Sequence, residues 1–386
     1  MSVSLRKRVD KLLGRFERGF EVHNRIEVSR GAILHNVGLF EGLSGLKVIP
    51  VLKGNAYGHG IGQVALALKG QRLRYIAVDG YFEALKVRET SRQPVLIMGA
   101  IKPENFRRIK YDNFAFVVAD EVTIRALGKT GKRVKVHLEA NTGMNRYGAK
   151  PDGMAKLTKI ILSYKNLTLE GVMSHLADSD GDDPAAVGAA VENFDKCVEQ
   201  VRAAGANLAI LHVAQTAGSV RGKSKYANAM RLGIGLYGIN PFSRGHKANK
   251  FLKDLKPALR LVSTITKVTQ LQKGDKVSYN YTFTAPKAMT IGVLPLGYYE
   301  GLNRALSNAG SVKIGSKFVP IVGRVCMNHA MISLEDTKAK VGDEVVVYSN
   351  NPADQNSIDS IASEHGLFNY NLLTALSPDI RRVLVE

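Results

Sequence analysis

The chain has 386 residues, which is more than one typical domain, so we expect two domains and a large core. Hydrophobic residues make up 45% of it and charged residues 23%, a balance that excludes a disordered chain. The formal net charge is +20, but the basic residues are spread along the whole length and lack the interleaved aromatic side chains of a nucleic-acid platform. We therefore expect attraction of anionic small molecules and no nucleic-acid partner.

The cysteines and the N-terminal segment bear on where the protein acts. No apolar run reaches the roughly 18 residues of a membrane span, and no secretion signal is recognisable, so we expect no membrane partner. Cys197 and Cys326 are too few for a disulfide framework and fit a reducing, cytoplasmic location. Residues 1–23 are a basic extension, and the amphipathic pattern of 1–20 predicts a helix that packs on the surface or binds a partner.

Eight β-rich runs alternate with helical patterns over residues 24–245. This alternation predicts a (β/α)8 barrel of the TIM type, whose reactive groups sit at the carboxyl ends of the strands. A doubly wound open sheet is the alternative, but no Gly-x-Gly-x-x-Gly turn follows the first strand. Before the barrel, a short strand is predicted at 25–28 and a helix capped by Ser29 follows it. The predicted barrel strands are 48–52, 75–78, 95–98, 114–118, 134–138, 169–173, 209–213 and 232–237, with helices at 62–68, 81–88, 121–127 and 185–203.

Residues 246–386 have a different texture, with short strand-like runs between glycine or charged turns. This pattern predicts a mostly-β domain, to which residues 24–30 are expected to add a strand. One helix is predicted within it at 357–366, where Ser357 is a suitable N-cap. The predicted strands are 261–270, 276–284, 290–294, 311–314, 317–325, 330–334 and 344–348.

The first barrel strand delivers Lys53 to a turn with the sequence Gly-Asn-Ala-Tyr-Gly-His-Gly. A lysine at the end of a buried strand is partly desolvated, which lowers its pKa and leaves a neutral amine able to attack a carbonyl. That reactivity is what a Schiff-base lysine requires. The common alternative is a lysine whose ammonium group simply extends into solvent.

Other strand ends carry side chains that suit one anionic aromatic ligand. Arg146 follows Glu139 in the loop after the fifth strand, and its guanidinium is suited to hold a phenolate or carboxylate oxygen. His175 presents an imidazole that is able to stack on a flat ring, and Thr216 presents a hydroxyl. Glycine at Gly233 allows the backbone to approach a phosphate closely. Together these residues predict a site for a phosphate-bearing aromatic cofactor.

The segment around Lys53 resembles the pyridoxal-phosphate lysine motif of the alanine racemase family, with Gly54 where that family usually has alanine. The resemblance extends from about Asn24 to the C-terminus. It implies a pyridoxal-phosphate enzyme of fold type III that interconverts L- and D-alanine and so supplies D-alanine for peptidoglycan. It also implies a cytoplasmic, head-to-tail homodimer with shared active sites, an amino-acid substrate and no metal.

Roles for individual residues come from this resemblance alone. Lys53 and Tyr279 are implied as the two catalytic bases on opposite faces of the substrate. The implied cofactor-binding residues are Lys53, Tyr57, His175, Thr216, Arg231, Gly233 and Ile234. The implied substrate-binding residues are Arg146 and Met327, and the implied supporting residues are Glu139, His212, Tyr298 and Arg304.

Three departures from the family pattern leave alternatives open. Glu139 stands where the family often has a carbamylated lysine, so we expect its carboxylate to pair with Arg146. Residues 376–379 replace a Tyr-Arg pair of the family, so a hydroxyl at the phosphate or at the entrance, and a strict preference for alanine, are in doubt. Asn328 stands where the family usually has an aspartate, and the loss of that charge could admit other side chains. The alternatives are a broader racemase acting on lysine, serine or arginine, a decarboxylase of the same barrel type, and a carrier that binds pyridoxal phosphate without turnover.

Overall fold

The structure is a computed structural model that describes residues 21–386. The predicted amphipathic helix at 1–20 lies outside the described residues. Contacts divide the described residues into two compact units: residues 27–260, 348–378 and 382–386 form the barrel unit, and residues 21–26, 261–347 and 379–381 form the second unit. The predicted domain boundaries at 23/24 and 245/246 remain a prediction, because a compact unit need not coincide with a domain that folds alone.

A closed parallel barrel confirms the predicted (β/α)8 fold. The first nine strands of the chain are β1 (Arg25–Ser29), β2 (Lys47–Pro50), β3 (Ile76–Val78), β4 (Val95–Ile97), β5 (Phe114–Val118), β6 (Val134–Glu139), β7 (Leu167–Met173), β8 (Ile210–His212) and β9 (Ala229–Leu232). Strands β3 to β8 form one parallel sheet, and β2 pairs in parallel with β9. Parallel bridges from Val51 to Ala77 and from Gln215 to Arg231 join the two sheets into a ring.

Helices follow most of the barrel strands, as the periodicity predicts. They are α1 (Arg30–Ser44), α2 (Ile61–Ala67), α3 (Tyr81–Thr90), α4 (Glu121–Gly128), α5 (Pro151–Leu162) and α6 (Pro184–Ala203). The Ser29 hydroxyl caps α1 as expected, since it accepts the N–H of Ala32 at 3.1 Å. Helix α5 was not predicted, although proline at its first position is favourable for a helix start.

The eighth barrel strand is wrongly predicted at 232–237. The strand is β9, which ends at Leu232, and Ile234–Tyr237 forms a 3-10 helix after it. Both segments are buried throughout, so an apolar run alone did not distinguish them. The correction places Arg231 inside the strand and Gly233 just past its carboxyl end, where barrel enzymes bind phosphate.

The remaining strands and helices confirm a β-rich C-terminal part. They are β10 (Leu259–Thr264), β11 (Lys267–Leu271), β12 (Lys276–Val277), β13 (Phe283–Thr284), β14 (Met289–Leu294), β15 (Ser311–Ile314), β16 (Lys317–Pro320), β17 (Ala330–Ser333), β18 (Glu344–Tyr348), α7 (Ile358–His365), α8 (Asn369–Thr374) and β19 (Arg381–Val385). One six-stranded sheet has the order β16-β15-β18-β10-β1-β19, and a three-stranded sheet has the order β11-β14-β17.

Three predictions for this part are wrong in detail, and two elements were missed. The predicted strand 317–325 is the shorter β16, which ends at Pro320. The predicted strand 276–284 is a two-stranded hairpin of β12 and β13 with a turn between them. The predicted strand 261–270 is interrupted between β10 and β11. Helix α8 and strand β19 lie in a segment where no clear period was recognised. Within residues 21–386, no helix is both long and apolar enough to span a membrane.

Candidate functional site

A cavity of about 960 Å³ opens within the barrel unit at the carboxyl ends of the strands. Its lining includes most of the barrel residues that the sequence singled out, and pockets of this size accommodate small-molecule ligands. The predicted residues that line it are Lys53, Tyr57, Glu139, Arg146, His175, Thr216, Arg231, Gly233 and Ile234. The barrel therefore brings these side chains to one site.

Lys53 begins a short turn, Lys53–Tyr57, which lies after the carboxyl end of β2 and which we call the lysine turn. Gly54 and the three residues after it have φ angles between +51° and +62°. Left-handed backbone is unfavourable by roughly 1–2 kcal/mol for each residue with a Cβ atom. The turn therefore persists only because its surroundings hold it.

Contacts from two other parts of the barrel unit hold the lysine turn. The Glu83 carboxylate accepts the N–H of Gly54 at 2.7 Å, and the same side chain caps the start of α3. On the other side, the Arg382 guanidinium donates to the carbonyl of Gly58 at 3.0 Å. A Cβ atom on Gly58 would lie 2.0 Å from the carbonyl oxygen of Leu373, so the chain after the turn packs directly on α8.

A cradle for an anion lies beside the lysine turn. A Cβ atom on Gly233 would lie 2.8 Å from the Tyr57 hydroxyl oxygen and 4.0 Å from the Thr216 hydroxyl oxygen. The two hydroxyls therefore converge on backbone that glycine leaves open, ahead of the 3-10 helix that starts at Ile234. Burial raises the pKa of Tyr57 to about 12, so its hydroxyl stays protonated and able to donate. Such a cradle fits a phosphate group.

Sequence reasoning missed Tyr370 and Glu83. Tyr370 lines the same cavity, with its ring centroid 6.0 Å from that of Tyr57, and burial raises its pKa. Tyr370 is therefore a candidate for the tyrosine hydroxyl that residues 376–379 lack. Tyr370 was missed because α8 was missed. The sequence did contain a signal for Glu83, because Gly80 and Glu83 have the spacing of a capping box at the start of a helix.

Arg231 is buried, and backbone and imidazole acceptors fix its guanidinium. It donates to Nδ1 of His212 at 2.9 Å, to the carbonyl of His212 at 2.7 Å and to the carbonyl of Val213 at 3.2 Å. Burial lowers the pKa of Arg231 to about 10, which still leaves the group charged at neutral pH. The hydrogen bond between His212 and Arg231 is present. That His212 supports the function of Arg231 through this bond stays a prediction.

His175 lines the cavity as a neutral imidazole. Burial and the positive charges of Arg231, Arg146 and Lys53 lower its pKa to about 3. Its Nδ1 atom lies 3.4 Å from the Arg231 guanidinium. A neutral imidazole that lines the cavity is able to stack on a flat ligand.

The expected ion pair between Glu139 and Arg146 is not present among residues 21–386, although both side chains line the same cavity. Glu139 is buried at the end of β6, and Arg146 is exposed in the loop that follows. Burial raises the pKa of Glu139, while the charges of Arg231 and Arg146 oppose that rise. The two residues therefore influence each other through charge without direct contact.

Tyr279 belongs to the second unit and is 69% exposed. It lies in residues 278–281, which we call the tyrosine turn, where Ser278, Asn280 and Tyr281 all have positive φ angles. The Ser278 hydroxyl donates to the carbonyl of Arg324 at 2.8 Å and anchors the turn. The tyrosine turn lines a hollow of about 570 Å³ that also contacts Cys326.

Other predicted residues of the second unit are also exposed. Met327 is 55% exposed and Tyr298 is 44% exposed, and Arg304 lies exposed at the start of a 3-10 helix. Asn328, which follows Met327, donates to the Glu300 carboxylate at 2.7 Å. The amide of Asn328 is therefore engaged within its own unit.

Comparison with known proteins covers nearly the whole described chain. The model of the alanine racemase N-terminal domain matches residues 28–241, and that of the alanine racemase C-terminal domain matches residues 258–384. Alanine racemase 2 of Caldanaerobacter subterraneus subsp. tengcongensis is 32% identical over 94% of both chains. The alanine racemase of Lactobacillus acidophilus is 32% identical over 95% of this chain and 99% of its own.

Solved structures of alanine racemases share the fold. The enzyme of Clostridium difficile 630 superposes with a TM-score of 0.87 at 27% identity, covering 95% of this chain and 97% of that one. The enzyme of Bacillus anthracis with bound L-Ala-P gives a TM-score of 0.85 at 28% identity, covering 95% and 96%.

Proposed function

We propose, from the premise that this chain belongs to the alanine racemase family, that it interconverts L- and D-alanine with pyridoxal phosphate as cofactor. Membership of the family makes the chain an amino-acid racemase, an isomerase. The substrate alanine, the cofactor and the two-base mechanism are the finer proposal. The observation that carries it is the convergence of Lys53, Arg231 and the Gly233 cradle on one cavity.

The barrel unit supplies the residues that would hold the cofactor. Tyr57, Thr216 and the backbone at Gly233 and Ile234 would bind its phosphate, and the neutral His175 ring would pack on its flat ring. Pyridoxal phosphate, when bound, draws electrons from the α-carbon of an amino acid and so acidifies the α-hydrogen. The Lys53 amine would hold the cofactor covalently and, once substrate has displaced it, exchange a proton on one face of that carbon.

Arg231 would donate a hydrogen bond to the ring nitrogen of the cofactor. A guanidinium does not give up its proton at ordinary pH, so that nitrogen would stay unprotonated and withdraw electrons only weakly. Arg231 would thereby limit how long the α-carbon of the substrate remains without its proton. Rapid return of the proton favours racemisation over transamination.

Tyr279 would supply the proton on the opposite face. A phenol has a pKa of about 10, so nearby cations must favour the phenolate, and Arg146 and Arg304 are the proposed ones. The exposure of Tyr279, Met327 and Tyr298 supports a head-to-tail homodimer, in which these residues complete the site of a second copy. Arg146 and Met327 would bind the substrate carboxylate, and Glu139 would restrain Arg146 through its charge.

The role that follows is the supply of D-alanine for peptidoglycan in the cytoplasm. The test begins with borohydride reduction of the purified protein and peptide mapping, which we expect to find the cofactor on Lys53. L-alanine should then exchange its α-hydrogen for deuterium and yield D-alanine. A yellow protein that exchanges no hydrogen would favour a carrier, and release of carbon dioxide would favour a decarboxylase. Faster turnover of lysine, serine or arginine than of alanine would favour the broader racemase.

A further inference from the structure

A chain of hydrogen bonds leads from Arg231 through the interior of the barrel to Glu170. The Arg231 guanidinium donates to Nδ1 of His212 at 2.9 Å, and Nε2 of His212 lies 2.8 Å from Nδ1 of His137. Nε2 of His137 then lies 3.3 Å from the Glu170 carboxylate. The imidazoles of His137 and His212 are fully buried. Four side chains on β6, β7, β8 and β9 are thus connected in series.

The donors and acceptors in this chain determine where each proton lies. A guanidinium only donates, so Nδ1 of His212 must accept and its proton must sit on Nε2. That proton is donated to Nδ1 of His137, whose own proton must then sit on Nε2 and be donated to Glu170. Burial lowers the pKa of both imidazoles, so each carries one proton at neutral pH. One tautomer of each histidine satisfies every contact.

Glu170 ends the chain as an ionised carboxylate. Burial opposes its ionisation, but hydrogen bonds from His137, Lys135 and Tyr75 outweigh burial and lower the pKa of Glu170 to about 2. Lys135 donates to one carboxylate oxygen at 2.6 Å, and the Tyr75 hydroxyl donates to the other. An ionised carboxylate has no hydrogen to donate. Glu170 can therefore only accept from His137, which removes the alternative direction of the chain.

A register shift in the backbone brings Glu170 and His137 together. The register of β6 and β7 shifts between Val136 and His137, so that Glu170 is skipped in the pairing and Gly171 is opposite His137. A bulge of this kind redirects a side chain. A Cβ atom on Gly171 would lie 2.9 Å from Nδ1 of His137 and 2.3 Å from the carbonyl oxygen of Ile210. Glycine at this position therefore leaves room for the His137 ring.

We infer that Glu170 is a positioning residue for Arg231, which it acts on by fixing the tautomers of His137 and His212. The inference rests on the proposed function, in which Arg231 meets the ring nitrogen of the cofactor. Without an acceptor at Glu170, the buried Nε2–H of His137 has no partner there, so Arg231 alone opposes a shift of the two protons to Nδ1. A proton on Nδ1 of His212 faces a guanidinium that also only donates, so Arg231 loses its imidazole acceptor and is held by backbone carbonyls alone.

The test is nitrogen-15 NMR of the holoenzyme labelled at histidine, which distinguishes protonated from unprotonated ring nitrogens. In the wild-type protein at neutral pH, we expect His137 and His212 each to be protonated at Nε2 and unprotonated at Nδ1. A proton on Nδ1 of either histidine, or two protons on either ring, overturns the inference. This NMR measurement uses the wild-type protein, so it tests the inference even if a variant does not fold.

Two variants at Glu170 then separate hydrogen bonding from charge. Glu170→Gln keeps an oxygen that accepts from His137 and Tyr75, so we expect wild-type tautomers. Glu170→Leu removes that acceptor, and we expect mixed tautomers at His212 and an affinity for pyridoxal phosphate weaker by about tenfold, the effect of losing one hydrogen bond to a charged group. The control Lys135→Met removes the contact to the other carboxylate oxygen and should leave both histidines unchanged.

Wild-type tautomers and cofactor affinity in Glu170→Leu would overturn the inference, as would mixed tautomers in Lys135→Met. Failure of the proposed function has a separate signature. A protein that binds no pyridoxal phosphate but has the expected histidine spectrum contradicts the racemase mechanism and leaves the tautomer assignment intact.

Discussion

The lysine turn and the tyrosine turn carry the two proposed proton-transfer groups, and both hold non-glycine residues at positive φ. They differ in how they are enclosed. Glu83, Arg382 and α8 hold the lysine turn within the barrel unit. Tyr279 and Tyr281 of the tyrosine turn are 69% and 66% exposed. Lys53 is thus positioned by its own unit, whereas Tyr279 is exposed and accessible to a further molecule.

Removal of the enclosed group should have the largest effect. Lys53→Met removes the only amine proposed to bind the cofactor, so racemisation should fall by at least about a thousandfold. The visible absorbance of the bound cofactor and the racemisation rate measure this loss. The control Lys69→Met changes an exposed lysine and should leave both unchanged. Retained racemisation in Lys53→Met would contradict the assignment.

Removal of the Tyr279 hydroxyl should stop proton transfer on one face of the substrate and leave it intact on the other. Tyr279→Phe keeps the ring but removes the hydroxyl, so we expect racemisation to fall by about a hundredfold. Exchange of the α-hydrogen should continue for the enantiomer whose hydrogen faces Lys53. Deuterium exchange measured separately for L- and D-alanine tests this asymmetry. Tyr281→Phe, in the same turn, is the matched control, and equal losses in both variants would refute a specific role for Tyr279.

Glu139→Gln tests whether the cavity needs a carboxylate beside Arg146. The substitution keeps the shape and removes the charge that is proposed to restrain Arg146, so we expect turnover to fall by about tenfold, the effect of losing one electrostatic interaction across the cavity. Steady-state kinetics with alanine measure it, and Glu139→Asp should recover part of the activity. Turnover equal to the wild type in Glu139→Gln would show that this carboxylate has no such role.

Glu83→Ala tests how much the lysine turn depends on its enclosure. The variant loses the acceptor for Gly54 and the cap of α3 together, so the free energy of unfolding should fall by about 2 kcal/mol. Turnover should fall several-fold as Lys53 loses its fixed direction. Chemical denaturation and kinetics measure the two effects. Glu89→Ala, on an exposed position of α3, should change neither, and unchanged turnover in Glu83→Ala would limit Glu83 to a capping role.

Acid should weaken the enclosed site through Glu170. Its pKa is about 2 in the folded chain against an ordinary value of 4.5, so the unfolded chain binds this proton first as the pH falls. The resulting stabilisation, no more than about 3 kcal/mol, is present above pH 4.5 and is lost as the pH falls towards 2. Denaturant unfolding of the wild type and Glu170→Gln should show curves that converge in this range. A constant difference between them would contradict the assigned ionisation.

The sequence predicted the barrel and the position of Lys53 because each depends on local patterns. Strand β5 is found where its apolar run predicts it. The eighth strand was misplaced because the strand and the 3-10 helix after it are both buried throughout, so burial does not distinguish them. Tyr370 and the pairing of His137 with Glu170 depend on contacts between distant segments and on a register shift between β6 and β7. A single sequence carries no local signal for either feature.

The packing of the lysine turn on α8 and Arg382 sets an order of events during synthesis. The turn is at residues 53–57, but α8 and Arg382, which enclose it together with Glu83, lie in residues 369–382. A nascent chain that ends before α8 lacks those groups, however much of the barrel it has formed. Lys53 therefore reaches its working geometry only after α8 and Arg382 have packed against the segment that follows it.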